Sequence, residues 1–367
     1  MEELLLKCIN LSIRASYMIL AVLLIRMIFA KAEKKYMVWM WILVGIRLIC
    51  PLSIPALPSV LPPTEVIPED IALSHTPQIA SGIQAVDQAV NPALQQHFTP
   101  APADSANPLQ VVNAIASAVW IAGMIFMFGY MIVSSLLLKR MIRKSGPLHQ
   151  GIAESKQFEG PFVFGMIHPV ICLPPGDEEK KKMILLHERT HIERKDHILK
   201  PLAFIILSVY WFNPLVWLAY RLLCRDIEMA CDEAVIAKMA RRERSCYAET
   251  LLSCASSGLP AASPVAFGET DVKKRIKNIL KYRKPSAVLA ACLIISALAV
   301  SAGCFADQKT EPQKTEPADS QSQSGNTDGK DGDKKEDTAG RETPDTKTVI
   351  TVESLLQNPS AYVNTYV

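Results

Sequence analysis

"PLAFIILSVYWFNPLVWLAY", residues 201–220, runs for 20 residues without a charge. As one straight helix it would be about 30 Å long, enough to cross the hydrocarbon of a bilayer. If it crosses, its two flanks lie on opposite sides of the membrane. If it turns back, they meet. Two features favour the turn. Asn213-Pro214 interrupts the run, because proline lacks the N–H the helix ladder needs and its ring clashes with the preceding turn. Twelve Lys/Arg lie between 139 and 200 and twelve more between 224 and 284, and positive residues stay in the cytoplasm. A crossing would export the second dozen. The run is therefore read as an interfacial or re-entrant helical pair entering from the cytoplasmic side.

The rest of the chain follows from this reading. It has 367 residues, of which 49% are hydrophobic, and its positive mean hydropathy of +0.17 suggests several membrane spans. Four other runs have membrane-spanning character: about 10–30, 36–53, 110–138 and 285–303. The N-terminal run has no small-residue cleavage site and reads as an uncleaved span. KAEKK at 31–35 is basic, whereas 51–138 contains no Lys or Arg. The expected organisation is thus two spans in 1–53, an extracellular loop at 54–109, a third span at 110–138, a cytoplasmic domain at 139–284, a fourth span at 285–303 and an extracellular tail at 304–367. The tail repeats QKTEP and is rich in Ser, Asp, Gly and Lys, a composition that stays disordered. Nine cysteines without CxxC pairs read as reduced thiols.

Immediately before the deciding run stands "MILLHERTHIERKDH", 183–197. His187 and His191 are four apart, so a helix puts both on one face, where they can share a metal ion. Glu188, beside the first histidine, can take a proton from a metal-activated water. A catalytic zinc also needs a third protein ligand and an open position. After the run comes "CRDIEMACDEAV", 224–235, with Glu228 and Asp232 four apart. Glu228 is the expected third ligand, and Asp232 and Asp196 are expected to orient ligand histidines. Cys224, Cys231 and His197 are rival ligands; His149 and His168 read as loop or core residues. A straight crossing would hold His191 and Glu228 about 30 Å apart. One shared ion requires the run to turn back.

"PFVFGMIHPVICLP" (161–174), "LLHERTHIERKDH" (185–197), "YWFNPLVW" (210–217), "EMACDEAV" (228–235) and "DVKKRIKNI" (271–279) together resemble the BlaR/MecR antirepressor family of membrane zinc metallopeptidases. The resemblance covers about 1–305. It implies a mainly α membrane protein with four transmembrane helices and a cytoplasmic α+β peptidase domain of HExxH, gluzincin-like type. His187, His191 and Glu228 then hold Zn2+, and Glu188 is the general base. The expected partners are membrane lipid and a protein substrate, a cytoplasmic transcriptional repressor; direct nucleic-acid binding is not expected. Nothing after 304 resembles the family's penicillin-binding sensor, and no S-x-x-K occurs there.

Two further segments have readings of their own. PFVFGMIHPVICLP is rich in Val, Ile and Phe and bounded by proline, so it reads as one strand ahead of the active-site helix, able to pair with an extended substrate. DVKKRIKNILKYRKP (271–285) is basic and amphipathic. It reads as an anionic-lipid anchor, with a self-cleavage segment as the alternative.

Overall fold

The computed structural model describes residues 2–30, 32–51, 66–68, 70–72, 74, 76–99, 107–255, 272–282 and 286–305. Most of the expected outer loop before residue 66, and the tail beyond 305, lie outside them. Ten helices and three strands are described. Helix α1 (Glu2–Ile28) and α2 (Lys34–Ile49) form a hairpin, and α3 (Gln84–Phe98) lies in the outer-loop region. Helix α4 (Pro108–Lys144) has 37 residues, about 56 Å. Its start is set by Asn107, whose side chain accepts the Leu109 N–H, and by Pro108 in the first turn.

Among the described residues, α1 and α4 are long and apolar enough to cross a membrane. The expected second span is the 16-residue α2, only about 24 Å long. The fourth corresponds to α10 (Ala287–Phe305), apolar over Ala287–Val300. Eight of the nine cysteines, Cys304 aside, form no disulfide.

Residues 201–220 do not form one helix. Helix α6 (Asp196–Val209) ends at Tyr210, and α7 (Pro214–Ile236) starts after Asn213, whose side chain accepts the Leu215 N–H. The tip is sewn to the neighbouring helices. Asn213 Nδ2 donates to Ser12 Oγ and Ser16 Oγ at 2.6 and 2.9 Å, and the Tyr210 hydroxyl donates to the Leu48 carbonyl at 2.7 Å. The Trp120 and Trp211 indoles donate to the Val209 and Trp120 carbonyls. Tyr210 thus meets the C-terminal end of α2, and Glu233 of α7 accepts the Lys34 N–H at its start. Met18, Ile19 and Val22 of α1, Met37 and Trp41 of α2, Phe204 and Leu207 of α6, and Ile227 of α7 form the common core.

The elements after α4 begin with a small sheet ordered β1-β3-β2. Strand β1 (Ile152–Glu154) pairs in parallel with β3 (Val170–Leu173), and β2 (Phe162–Phe164) pairs antiparallel with it. The segment 161–174, expected to be one strand, is therefore a hairpin. Gly165 makes the corner at φ +107, where a Cβ would come within 2.5 Å of the His168 carbonyl. A run of apolar residues does not reveal such a corner, because β2 and β3 are equally apolar. Helix α5 (Glu178–Glu193), α8 (Arg241–Ala255) and α9 (Val272–Leu280) complete this part.

Candidate metal centre

Helix α5 carries His187 and His191 on one face, both buried. Their Nε2 atoms lie 3.1 Å apart. The turn after α5 passes through Lys195 at φ +61, a left-handed conformation uncommon for a residue with a side chain. This turn folds Asp196 back, so its Oδ2 lies 2.8 Å from His191 Nδ1 and accepts the Arg194 Nε–H at 3.0 Å. From there α6 runs out to the tip and α7 returns. Glu228 arrives with Oε2 3.5 Å from His187 Nε2 and Oε1 3.5 Å from His191 Nε2.

These distances allow a test of fit. Zinc–nitrogen and zinc–oxygen bonds of about 2.0–2.1 Å in a tetrahedron put neighbouring donors about 3.3 Å apart. Separations of 3.1, 3.5 and 3.5 Å among the two imidazoles and the carboxylate match that edge. The outer nitrogens are also held. His191 Nδ1 faces Asp196, and His187 Nδ1 lies 2.8 Å from the Tyr247 hydroxyl, which donates to Asp232 Oδ1 at 2.8 Å. Partners of this kind hold each ring with Nε2 turned inward. The Tyr247 hydroxyl lies between His187 and Asp232, whose Oδ1 is itself 3.5 Å from Nδ1.

Cys231 also reaches the cluster. Its Sγ lies within 4.8 Å of a nitrogen of each histidine, and 3.5 Å from His187 Nδ1. His187, His191 and Cys231 are thus a second possible ligand set. The Nε2 atoms converge on Glu228, and the thiol lies against His187 Nδ1. His197, on the first turn of α6, makes no hydrogen bond or ion pair with the group among the described residues. His149 and His168 are exposed on loops around the sheet.

Glu188 is 5% exposed, and among the described residues no hydrogen bond or ion pair engages its carboxylate. Burial pushes the thiol of Cys172, on β3, up to about 12, and the Glu188 charge adds to the shift.

Two cations that the sequence did not reveal complete the centre. Lys200 Nζ donates to Glu228 Oε1 at 2.7 Å. Arg275, on α9, lies against Asp232, Glu228 and His187. Burial works against charge on Glu228, yet Lys200, His191 and Arg275 hold its carboxyl well below the usual range. Burial likewise disfavours protonated histidines, but Cys231 and Glu228 raise both, His187 to about 10. The Glu228 carboxylate would also favour a dication between the rings. Nothing local marks Tyr247 or Arg275 for this role; one sits in a polar helix and the other in a basic run.

The family profile described as BlaR1 peptidase M56 matches residues 6–279. The regulatory protein BlaR1 of Bacillus licheniformis is 27% identical over 249 residues, covering 60% of this chain and 41% of that protein. The methicillin resistance mecR1 protein of Staphylococcus aureus is 28% identical over 145 residues, covering 36% of this chain and 25% of that protein. The mecR1 protein of Staphylococcus epidermidis matches with the same identity over the same length. The chain spans less than half the length of these relatives.

Proposed function

Because the chain belongs to the BlaR1 peptidase M56 family, we propose that it is a membrane-embedded zinc metalloendopeptidase. The observation that supports this most is the convergence of His187 Nε2, His191 Nε2 and Glu228 at tetrahedral-edge distances, with the buried Glu188 next to His187 in the chain. His187, His191 and Glu228 are the residues that would hold zinc. When bound, the ion supplies a polarising charge for the peptide carbonyl and makes water acidic near neutral pH. Glu188 takes the proton of the attacking water and delivers it to the leaving amine. Asp196 and the Tyr247–Asp232 pair keep the imidazoles turned toward the ion. The edge of the small sheet presents an extended backbone to which a substrate strand can pair.

We assign four membrane segments, α1, α2, α4 and α10, with the α6–α7 pair re-entrant from the cytoplasm. The basic residues of 139–284 support this orientation. The substrate we favour is a cytoplasmic transcriptional repressor, which would make the protein a signal-transducing antirepressor; one relative is named a regulatory protein. Glu188→Gln should retain zinc and lose cleavage of a repressor or of casein. Undiminished cleavage by that variant would remove Glu188 from the mechanism. A proteome comparison of cells carrying the two forms should show a stabilised DNA-binding protein; stabilised misfolded membrane proteins instead would indicate a quality-control peptidase.

The nearness of Cys231 favours a second reading, a non-catalytic receptor with a closed structural zinc. Cys231→Ser separates the two. A catalytic centre built on Glu228 keeps its zinc, whereas a closed site that uses the thiol loses it.

A further inference from the structure

Helix α9 is strongly basic, which suggests a helix lying on an anionic surface. Its cations do not all point the same way. Lys273, Lys274 and Lys277 are exposed, whereas Arg275 is 6% exposed and faces inward together with Ile279, one turn on. A guanidinium is buried only with partners, and those of Arg275 belong to the metal centre. Its Nε donates to Asp232 Oδ2 at 2.8 Å and its Nη2 to Asp232 Oδ1 at 2.9 Å, a side-on fork. Nη1 lies 3.3 Å from Glu228 Oε2, and Nη2 lies 3.3 Å from His187 Nε2.

We propose that Arg275 is a positioning residue of the metal centre, setting the geometry of two α7 carboxylates, Glu228 and Asp232, around His187. The inference rests on the reading of His187, His191 and Glu228 as a metal site. Asp232 Oδ1 accepts from both Arg275 and Tyr247, and the Tyr247 hydroxyl meets His187 Nδ1. A shift of Asp232 is therefore passed to a ligand ring. Glu228, four residues earlier on the same face, is held by the remaining arm of the same guanidinium. Only a planar fork can engage Asp232 with two nitrogens and Glu228 with a third; a lysine ammonium is a single point of charge. The segment 271–279 thereby acquires a role at the site distinct from lipid anchoring, and it leads directly toward α10.

The test uses the full chain in detergent. Zinc affinity is measured by chelator competition, the visible spectrum is recorded with Co2+ in place of zinc, and thermal unfolding is followed in excess chelator. Arg275→Met should weaken zinc about 10–100-fold, the range seen when groups behind metal ligands are removed, and should alter the cobalt spectrum. Arg275→Lys should restore less than half of that loss on a logarithmic scale. Asp232→Asn/Arg275→Met should recover affinity relative to Arg275→Met, because the stranded buried anion is gone. Lys273→Ala should match wild type throughout. Zinc affinity within twofold of wild type and an unchanged cobalt spectrum in Arg275→Lys and Arg275→Met would overturn the proposal. If Arg275→Met does not fold, the lysine variant alone decides it. Wild-type protein that takes up neither metal would overturn the metal-site reading, and this proposal with it.

Discussion

Asp226 joins the helices around the metal centre, and its removal has a calculable cost. The residue is fully buried on α7, two positions before Glu228. Its carboxylate accepts from Arg26 Nη2 at 2.7 Å, Arg26 Nε at 3.0 Å and Trp41 Nε1 at 3.0 Å, so one side chain ties α1, α2 and α7. Asp226→Asn keeps an acceptor for Trp41 but strands the arginine. Breaking a buried pair costs about 3–5 kcal/mol. Arg26 retains 15% of its side-chain exposure, so the lower end, about 3 kcal/mol, applies. Asp226→Ala also strands the Trp41 indole, adding about 1–3 kcal/mol. The sum, roughly 4–6 kcal/mol, approaches the whole stability of many domains. Thermal unfolding in detergent should show Asp226→Asn lower by about 6 °C or more, taking about 2 °C per kcal/mol for a large chain. Asp226→Ala should fall further or fail to accumulate folded. Adding Arg26→Met to Asp226→Asn removes the stranded charge and should return most of the loss. A melting point for Asp226→Asn within about 2 °C of wild type, or no recovery in the double variant, would refute the reasoning.

Other expectations are quicker to check. Tyr247→Phe removes the hydroxyl between His187 and Asp232 and should weaken zinc about tenfold in chelator competition, the low end of the usual range because Asp232 remains 3.5 Å from the ring nitrogen. Gly123→Ala puts a Cβ 2.2 Å from Trp211 and should destabilise by about 1–3 kcal/mol, whereas Gly129→Ala meets open space and should melt like wild type. Asn213→Ala loses the cap of α7 and the bonds to Ser12 and Ser16; unfolding should report a loss of about 1–2 kcal/mol. Stripping metal with a chelator should abolish peptidase activity, and zinc should restore it; activity that survives complete stripping would contradict the proposed chemistry.

Several parts of the site lay open in the sequence because they depend on spacing along one helix. His187 and His191, like Glu228 and Asp232, are four apart, and helical geometry alone puts each pair on one face. Asp196 follows His191 closely enough for one turn to bring it back. The break at Asn213-Pro214 was equally visible, since an Asn that caps and a Pro that cannot continue a ladder are local chemistry. Other elements were not legible. The segment 161–174 reads as one apolar strand because its corner depends on a single glycine's φ. The shortness of α2 was hidden because apolar residues continue past its end at Ile49.

What the sequence by itself determined is therefore the set of helical faces: which residues share a side, where the oily run bends, and where positive charge accumulates. Only the tertiary structure decided how these faces meet. Arg26 found Asp226 across 200 positions, and Tyr247 and Arg275 closed around His187 from helices whose own patterns name no partner. The physical reason is that periodicity and turn chemistry act over a few residues. A buried charge is satisfied by whichever opposite charge the packed backbone brings within about 3 Å, and no short-range pattern specifies that choice.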